Sequence, residues 1–229
     1  MESIAATDRF ERAAPGRSVA ADYLDDLARA AGQIDRGALS YAVDLIHGAL
    51  VRRRRVFVAG NGGSASASLH LAADWANAAA RLGFTSSVVA LCENVVRLTA
   101  IANDHSYADV FAEQLRTSGQ PSDVLVLLSV SGQSENLIRA ASVARDLQMT
   151  TIGVLGHLGT VANYLDHLVL MGDGDYGIAE DLHIAFGHMV VRALHGGQPR
   201  IFQPTPVRPA AVADWAPEPA DHQTRDALQ

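Results

Sequence analysis

Residues 56–80 read VFVAGNGGSASASLHLAADWANAAA, and this stretch decides the fold. Val56, Phe57, Val58 and Ala59 form a short apolar run of the kind that makes a buried strand. Gly60-Asn61-Gly62-Gly63-Ser64 then interrupts it, and an alanine-rich run from about residue 66 to 80 reads as a helix. The unit is strand, glycine loop, helix. It recurs downstream: residues 123–129 (DVLVLLS) read as a strand, 129–134 (SVSGQS) as a loop, and the following residues through Leu147 as a helix. Further strands are expected at 85–91, 150–155 and 167–171, with helices over 107–117 and 178–195. Short apolar strands alternating with helices predict an α/β three-layer sandwich around a central, mostly parallel sheet. Ligands of such sheets sit beyond the carboxyl ends of the strands, where both glycine- and serine-rich loops fall.

Outward from this centre, residues 19–51 carry Tyr23, Leu24, Leu27, Ile34, Leu39, Val43, Ile46 and Leu50 at helical spacing, with a break near Gly32 and Asp35. Arg52 to Arg55 follow. They read as a charged helix end entering a strand, a position where cations suit the helix dipole. Residues 1–18 are polar and unpatterned, and are expected to form a flexible arm. Residues 19–195 form the folded domain. From residue 196 to 229 the texture changes, because six of the chain's eight prolines lie there and no helix runs through that spacing. Phe202 and Trp215 offer anchors for this tail, and docking and disorder both remain open.

The bulk properties narrow the function. With 229 residues the chain is long enough for one full core. A formal net charge of −7 argues against a general nucleic-acid binder, so any anion site must be local. The single cysteine, Cys92, excludes an intrachain disulfide and a four-cysteine metal site, and suits a reducing compartment. Glu2, Asp8, Glu11 and Arg12 leave no signal-peptide pattern, and no apolar run is long enough to span a bilayer. A cytoplasmic protein without membrane contact is expected.

Two loops could cradle a phosphate. In Gly60–Ser64 the glycines let backbone amides converge, and the helix after it adds free N–H groups. The loop matches neither the dinucleotide fingerprint nor a P-loop, and a tight turn that binds nothing is the alternative. In 129–134 Ser129, Ser131 and Ser134 supply three hydroxyls, which donate to phosphate without adding charge. Ser134 also fits a helix N-cap.

A second cluster has acid–base and metal character. His70 and Asp74, four apart, share one face of the first helix after the loop. Glu180, Asp181, His183 and His188 lie on the last helix, where Glu180 and His188 are about 80° apart in azimuth. One imidazole and one carboxylate from each helix would suit zinc or a related divalent ion. The spacing is not a strong metal signature by itself, and from the residues alone scattered surface or core histidines are the favoured reading.

Gly60–Ser64, His70, Leu98–Asp104 (LTAIAND), Ser129–Ser134 and Glu180–His188 together resemble the sugar isomerase (SIS) family, and within it the sedoheptulose-7-phosphate isomerase branch. The similarity spans roughly residues 20–195. The resemblance implies an SIS-type fold, a homotetramer with active sites between subunits, and ketose–aldose isomerisation of a heptose 7-phosphate through an enediol. It implies zinc ligands at His70, Asp74, Glu180 and His188, with Asp74 as base, His188 as acid, and Glu180 as a further catalytic candidate. Substrate contacts are expected from Asn61, Gly62, Gly63, Ser64, Asn94, Ser129, Ser131, Ser134 and Glu180. This chain departs from the family pattern by carrying Asp74 for glutamate, Glu180 for glutamine, Val130 for a threonine and Ala78 for an arginine. A non-catalytic adaptor or a sugar-phosphate sensor is the alternative. Loss of the helix carboxylate and the last histidine would favour the adaptor, and here both positions keep an acid and an imidazole.

Overall fold

The computed structural model describes residues 18–85 and 87–199. The expected N-terminal arm and proline-rich tail therefore lie almost entirely outside the described residues. The described chain carries five strands: β1 (Val56–Ala59), β2 (Val88–Ala90), β3 (Val124–Ser129), β4 (Thr150–Leu155) and β5 (His167–Leu170). All pair in parallel, in the order β2-β1-β3-β4-β5. Chain order reverses direction between β1 and β3, which makes their carboxyl ends the topological switch point of the sheet. The two loops singled out in the sequence follow these two strands.

Successive strand residues feed two cores. Val56, Val58, Val124, Val126 and Leu128 belong to one, with Ile46, Leu71, Trp75 and Phe186. Phe57, Ala59, Leu125 and Leu127 belong to the other, with Phe111, Leu115 and Leu137. The first core is covered by α1 (Val19–Gln33), α2 (Arg36–Val51), α3 (Gly63–Arg81) and α7 (Tyr176–Leu194). The second is covered by α4 (Val95–Asp104), α5 (Ala112–Ser118) and α6 (Glu135–Asp146). This is the three-layer sandwich with strand periodicity of two.

Local chemistry sets the boundaries. Ile34 and Asp35 separate α1 from α2, and the Asp35 side chain accepts from the Gly37 and Ala38 amides to cap α2. Asp123 anchors the amino ends of β1 and β3: it accepts from the Arg55 amide and pairs with the Arg55 guanidinium at 3.1 Å. The arginine run thus ends in a partly buried structural ion pair. Three expectations are corrected. The strand at 85–91 shrinks to three residues at the sheet edge. The helix at 107–117 splits into a 3-10 turn at Tyr107–Asp109 and α5. Helix α4 falls on the LTAIAND motif, where no helix was read, because its apolar stripe is thin and none of its residues is fully buried.

No helix among the described residues is long and apolar enough to cross a membrane.

Candidate active site

Helices α3 and α7 lie side by side, both starting at the carboxyl edge of the sheet. Their close approach is built on two glycines. At Gly63 a Cβ would stand 2.1 Å from Glu180 Oε2, and at Gly187 a Cβ would stand 2.5 Å from Leu71 Cδ1 and Cγ. Trp75, fully buried, donates its indole N–H to the Gly187 carbonyl at 3.0 Å. These contacts set the register that brings functional side chains together at two levels.

The first level is at the helix starts. A cavity of about 410 Å³ is lined by Asn61, Gly62, Gly63 and Ser64, by Leu128 to Ser131 with Ser134, and by Tyr176 and Glu180. Gly62 takes φ of +57° and Gly132 +64°, the left-handed region that glycine adopts without strain. Ser129 Oγ accepts from the Gly132 amide at 3.0 Å, and Ser131 Oγ accepts from the Gln133 amide at 3.3 Å. With an acceptor lone pair engaged on each, both hydroxyl hydrogens remain to be donated. Ser134 occupies the N-cap position of α6 but makes no side-chain capping bond. The residue lines the cavity. The free amides of α3 and α6 open at this same place.

Asn61 is tied into the protein by its side chain. Its Nδ2 donates to Asn136 Oδ1 at 3.0 Å, its Oδ1 accepts from Asn136 Nδ2 at 2.9 Å, and Oδ1 also accepts from the Tyr107 hydroxyl at 2.9 Å. Asn94 does not line the cavity: it is the N-cap of α4, with Oδ1 accepting from the Arg97 amide at 3.0 Å. Sequence reading overlooked Tyr176, an exposed phenol opening α7 at the cavity wall.

The second level lies further along both helices. His70 Nε2 is 3.3 Å from His188 Nε2 and 3.3 Å from Asp74 Oδ2, and His188 Nε2 is 3.8 Å from Asp74 Oδ2. Donor atoms held 2.0–2.1 Å from a tetrahedral zinc lie roughly 3.3–3.4 Å apart, so the triangle matches one face of such a site. The three side chains are 38–55% exposed, which leaves the fourth direction open. This trio can hold a metal ion.

Glu180 does not join it. The expected four-ligand set places Glu180 and His188 on one side of α7 by azimuth, but eight residues also rise about 12 Å along the axis. Glu180 instead stands in the loop cavity, against Gly63. His183 is fully buried, with Nε2 3.1 Å from the Val154 carbonyl. Burial pushes its pKa down to about 4, against the opposing pull of that carbonyl. It is a core residue that pins α7 to β4.

The SIS domain model matches residues 21–156, more than half of the chain. The chain belongs to the SIS domain family. Within that family it is similar to a phosphoheptose isomerase from Nitratidesulfovibrio vulgaris, 37% identical over 142 residues, covering 62% of this chain and 68% of that protein. A phosphoheptose isomerase from Synechocystis is 33% identical over 171 residues, covering 73% and 87%. Among solved structures, phosphoheptose isomerase GmhA from Neisseria gonorrhoeae superposes with a TM-score of 0.70 at 29% identity, covering 78% of this chain and 97% of that one. This SIS domain thus carries both expected loops at one end of its sheet, and three of its four expected metal ligands in one cluster.

Proposed function

We propose that the protein is a ketose–aldose isomerase that converts sedoheptulose 7-phosphate to a D-glycero-D-heptose 7-phosphate through an enediol. The observation that carries this reading is the pairing, on two neighbouring helices, of a glycine- and serine-lined anion cradle with a histidine–aspartate cluster. The SIS domain match, over residues 21–156, spans both loops. The phosphate would accept from Ser64, Ser129, Ser131 and Ser134 and from the loop amides around Gly62 and Gly63. Gripping this remote end turns binding energy into orientation of the reacting carbons. Asp74 takes the proton from C1, the C1–H electrons form the C1=C2 bond, and His188 supplies the proton to the C2 oxygen. Loss of the O1 proton and delivery of a proton to C2 complete the aldose. Glu180 accepts from sugar hydroxyls beside the cradle.

His70 Nε2, Asp74 Oδ2 and His188 Nε2 would hold zinc, which when bound would polarise the substrate oxygens and stabilise the enediolate charge, leaving Asp74 Oδ1 and the His188 Nδ1–H for the proton transfers. No nicotinamide, flavin or nucleotide is required. We further propose a cytoplasmic homotetramer with active sites between subunits. Exposed Val19, Tyr23 and Leu24 on α1, an apolar stripe that a second copy would cover, support this assembly.

The test is product formation by metal-loaded protein supplied with sedoheptulose 7-phosphate, before and after chelation. An aldose 7-phosphate that appears with zinc and disappears on chelation supports the reading. Binding of the sugar phosphate without turnover by zinc-loaded tetramer would move the assignment to a sensor.

A further inference from the structure

Two adjacent loops can share one anion only if their spacing is fixed. Loop Gly60–Ser64 follows β1 and loop Ser129–Ser134 follows β3, and these strands pair directly. The strands fix where the loops start. Beyond the strand ends, polar side chains link them. Asn136, in the first turn of α6, is 3% exposed, so its carboxamide is almost wholly removed from water. Burying an amide is unfavourable unless hydrogen bonds replace those lost to water. An apolar residue would fill the position without that cost. Asn136 instead forms a reciprocal amide pair with Asn61, at 3.0 and 2.9 Å. The Tyr107 hydroxyl adds a third bond at 2.9 Å, to the same Asn61 oxygen. This oxygen has two lone pairs, and both are used. Asn61 retains one N–H for any ligand.

We propose that Asn136 and Tyr107 are positioning residues: through Asn61 they brace the first loop against the second, so that both halves of the cradle meet one phosphate group. The brace joins three segments distant in sequence, at positions 61, 107 and 136. It explains why Asn61 lines the cavity while its side chain points its acceptor into the protein. Its link to catalysis rests on the sugar-phosphate reading above. A ligand held by amides and hydroxyls from both loops loses affinity when the loops drift, although no contact to the ligand itself has been deleted.

The test uses the full-length, zinc-loaded protein with Asn136→Ala and Tyr107→Phe. Inorganic phosphate is titrated by calorimetry, turnover of sedoheptulose 7-phosphate gives KM and kcat, and Tm and zinc affinity are measured alongside. Asn136→Ala should weaken phosphate and raise KM by about tenfold, the loss of two hydrogen bonds' worth of ordering. Tyr107→Phe, at an exposed position, should do the same by about threefold. In both, kcat should stay within about twofold and zinc affinity should be unchanged, because the cluster is two turns away. A purely structural role would lower Tm and leave phosphate affinity and KM untouched, which would overturn the proposal. If Asn136→Ala fails to fold, Tyr107→Phe decides alone: wild-type phosphate affinity and KM in it overturn the brace. Wild-type protein that binds phosphate but turns over no ketose phosphate refutes the isomerase reading, while the titrations still decide the brace. Absence of phosphate binding to wild-type protein overturns the brace and the cradle together.

Discussion

Gly187→Ala sets two physical effects against each other. Helix propensity alone favours alanine over an interior glycine by about 1 kcal/mol. Packing opposes it. The new Cβ would stand 2.5 Å from both Cγ and Cδ1 of Leu71, whereas carbon atoms rest about 3.5–4.0 Å apart. Leu71 is fully buried in the same core as Trp75 and Phe186, so it has no free volume to enter. Because Cγ as well as a terminal methyl is involved, the overpacking cost belongs near the top of its usual range, about 3 kcal/mol. The net is a destabilisation of about 2 kcal/mol, or a fall in Tm of roughly 4–8 °C for a domain of this size. Helices α3 and α7 must part by about 1 Å at this level. His70 precedes Leu71 and His188 follows Gly187, so the 3.3 Å separation of the two imidazole nitrogens widens with them. Calorimetric scans of zinc-free protein and zinc titrations should therefore both show the change. Leu71→Ala in the same chain vacates the space, and the double mutant should be less destabilised than the sum of the singles by about 0.5–3 kcal/mol. A raised Tm with unchanged zinc affinity, or strict additivity, would refute the claim that this contact sets the helix spacing.

Asp74→Asn should cut turnover by about 100-fold or more, since an amide cannot act as a carboxylate base; zinc content of the purified variant, measured alongside, separates lost base from lost ligand. Ser131→Ala with Ser134→Ala should weaken binding of inorganic phosphate by roughly 1–3 kcal/mol in calorimetry. Glu180→Gln removes a negative charge from the wall of the same cavity, so phosphate should bind more tightly, and turnover surviving in this variant would assign Glu180 to substrate holding rather than proton abstraction. His183 supplies the pH dependence. Its folded pKa of about 4 lies below the ordinary value of 6.5, so its contribution is fully present above pH 6.5 and is lost as pH falls from there towards 4. Urea unfolding of wild type should show this as a loss on the order of 3 kcal/mol, and His183→Gln, which keeps a donor for the Val154 carbonyl, should flatten that part of the profile.

Much of this architecture is readable from local pattern. β1 and its glycine loop are encoded within residues 56–64, and β3, its serine loop and α6 repeat the same signal. Helix α4 escaped because it half-packs on the surface, although Asn94 ahead of it carries a capping signal that the structure realises in the bond to the Arg97 amide. Within one chain Glu180 stands apart from the trio for a simpler reason: a helix has a rise as well as an azimuth, and the 1.5 Å rise per residue separates Glu180 from His188. The brace is different in kind. Asn61 and Asn136 are 75 residues apart and meet only because β1 and β3 pair. Neither residue carries a local signal of that meeting. Ser134 shows the converse, since its sequence reads as a cap while in the fold it makes no side-chain capping bond and lines the cavity.

The most direct measurement of the isomerase assignment follows sedoheptulose 7-phosphate in deuterated water by NMR, with zinc-loaded protein. Removal of a C1 proton and return of a solvent proton to C2 predict an aldose signal whose C2 position carries deuterium, together with exchange at C1 of the recovered ketose. Zinc-loaded protein that yields neither exchange nor aldose would contradict the account.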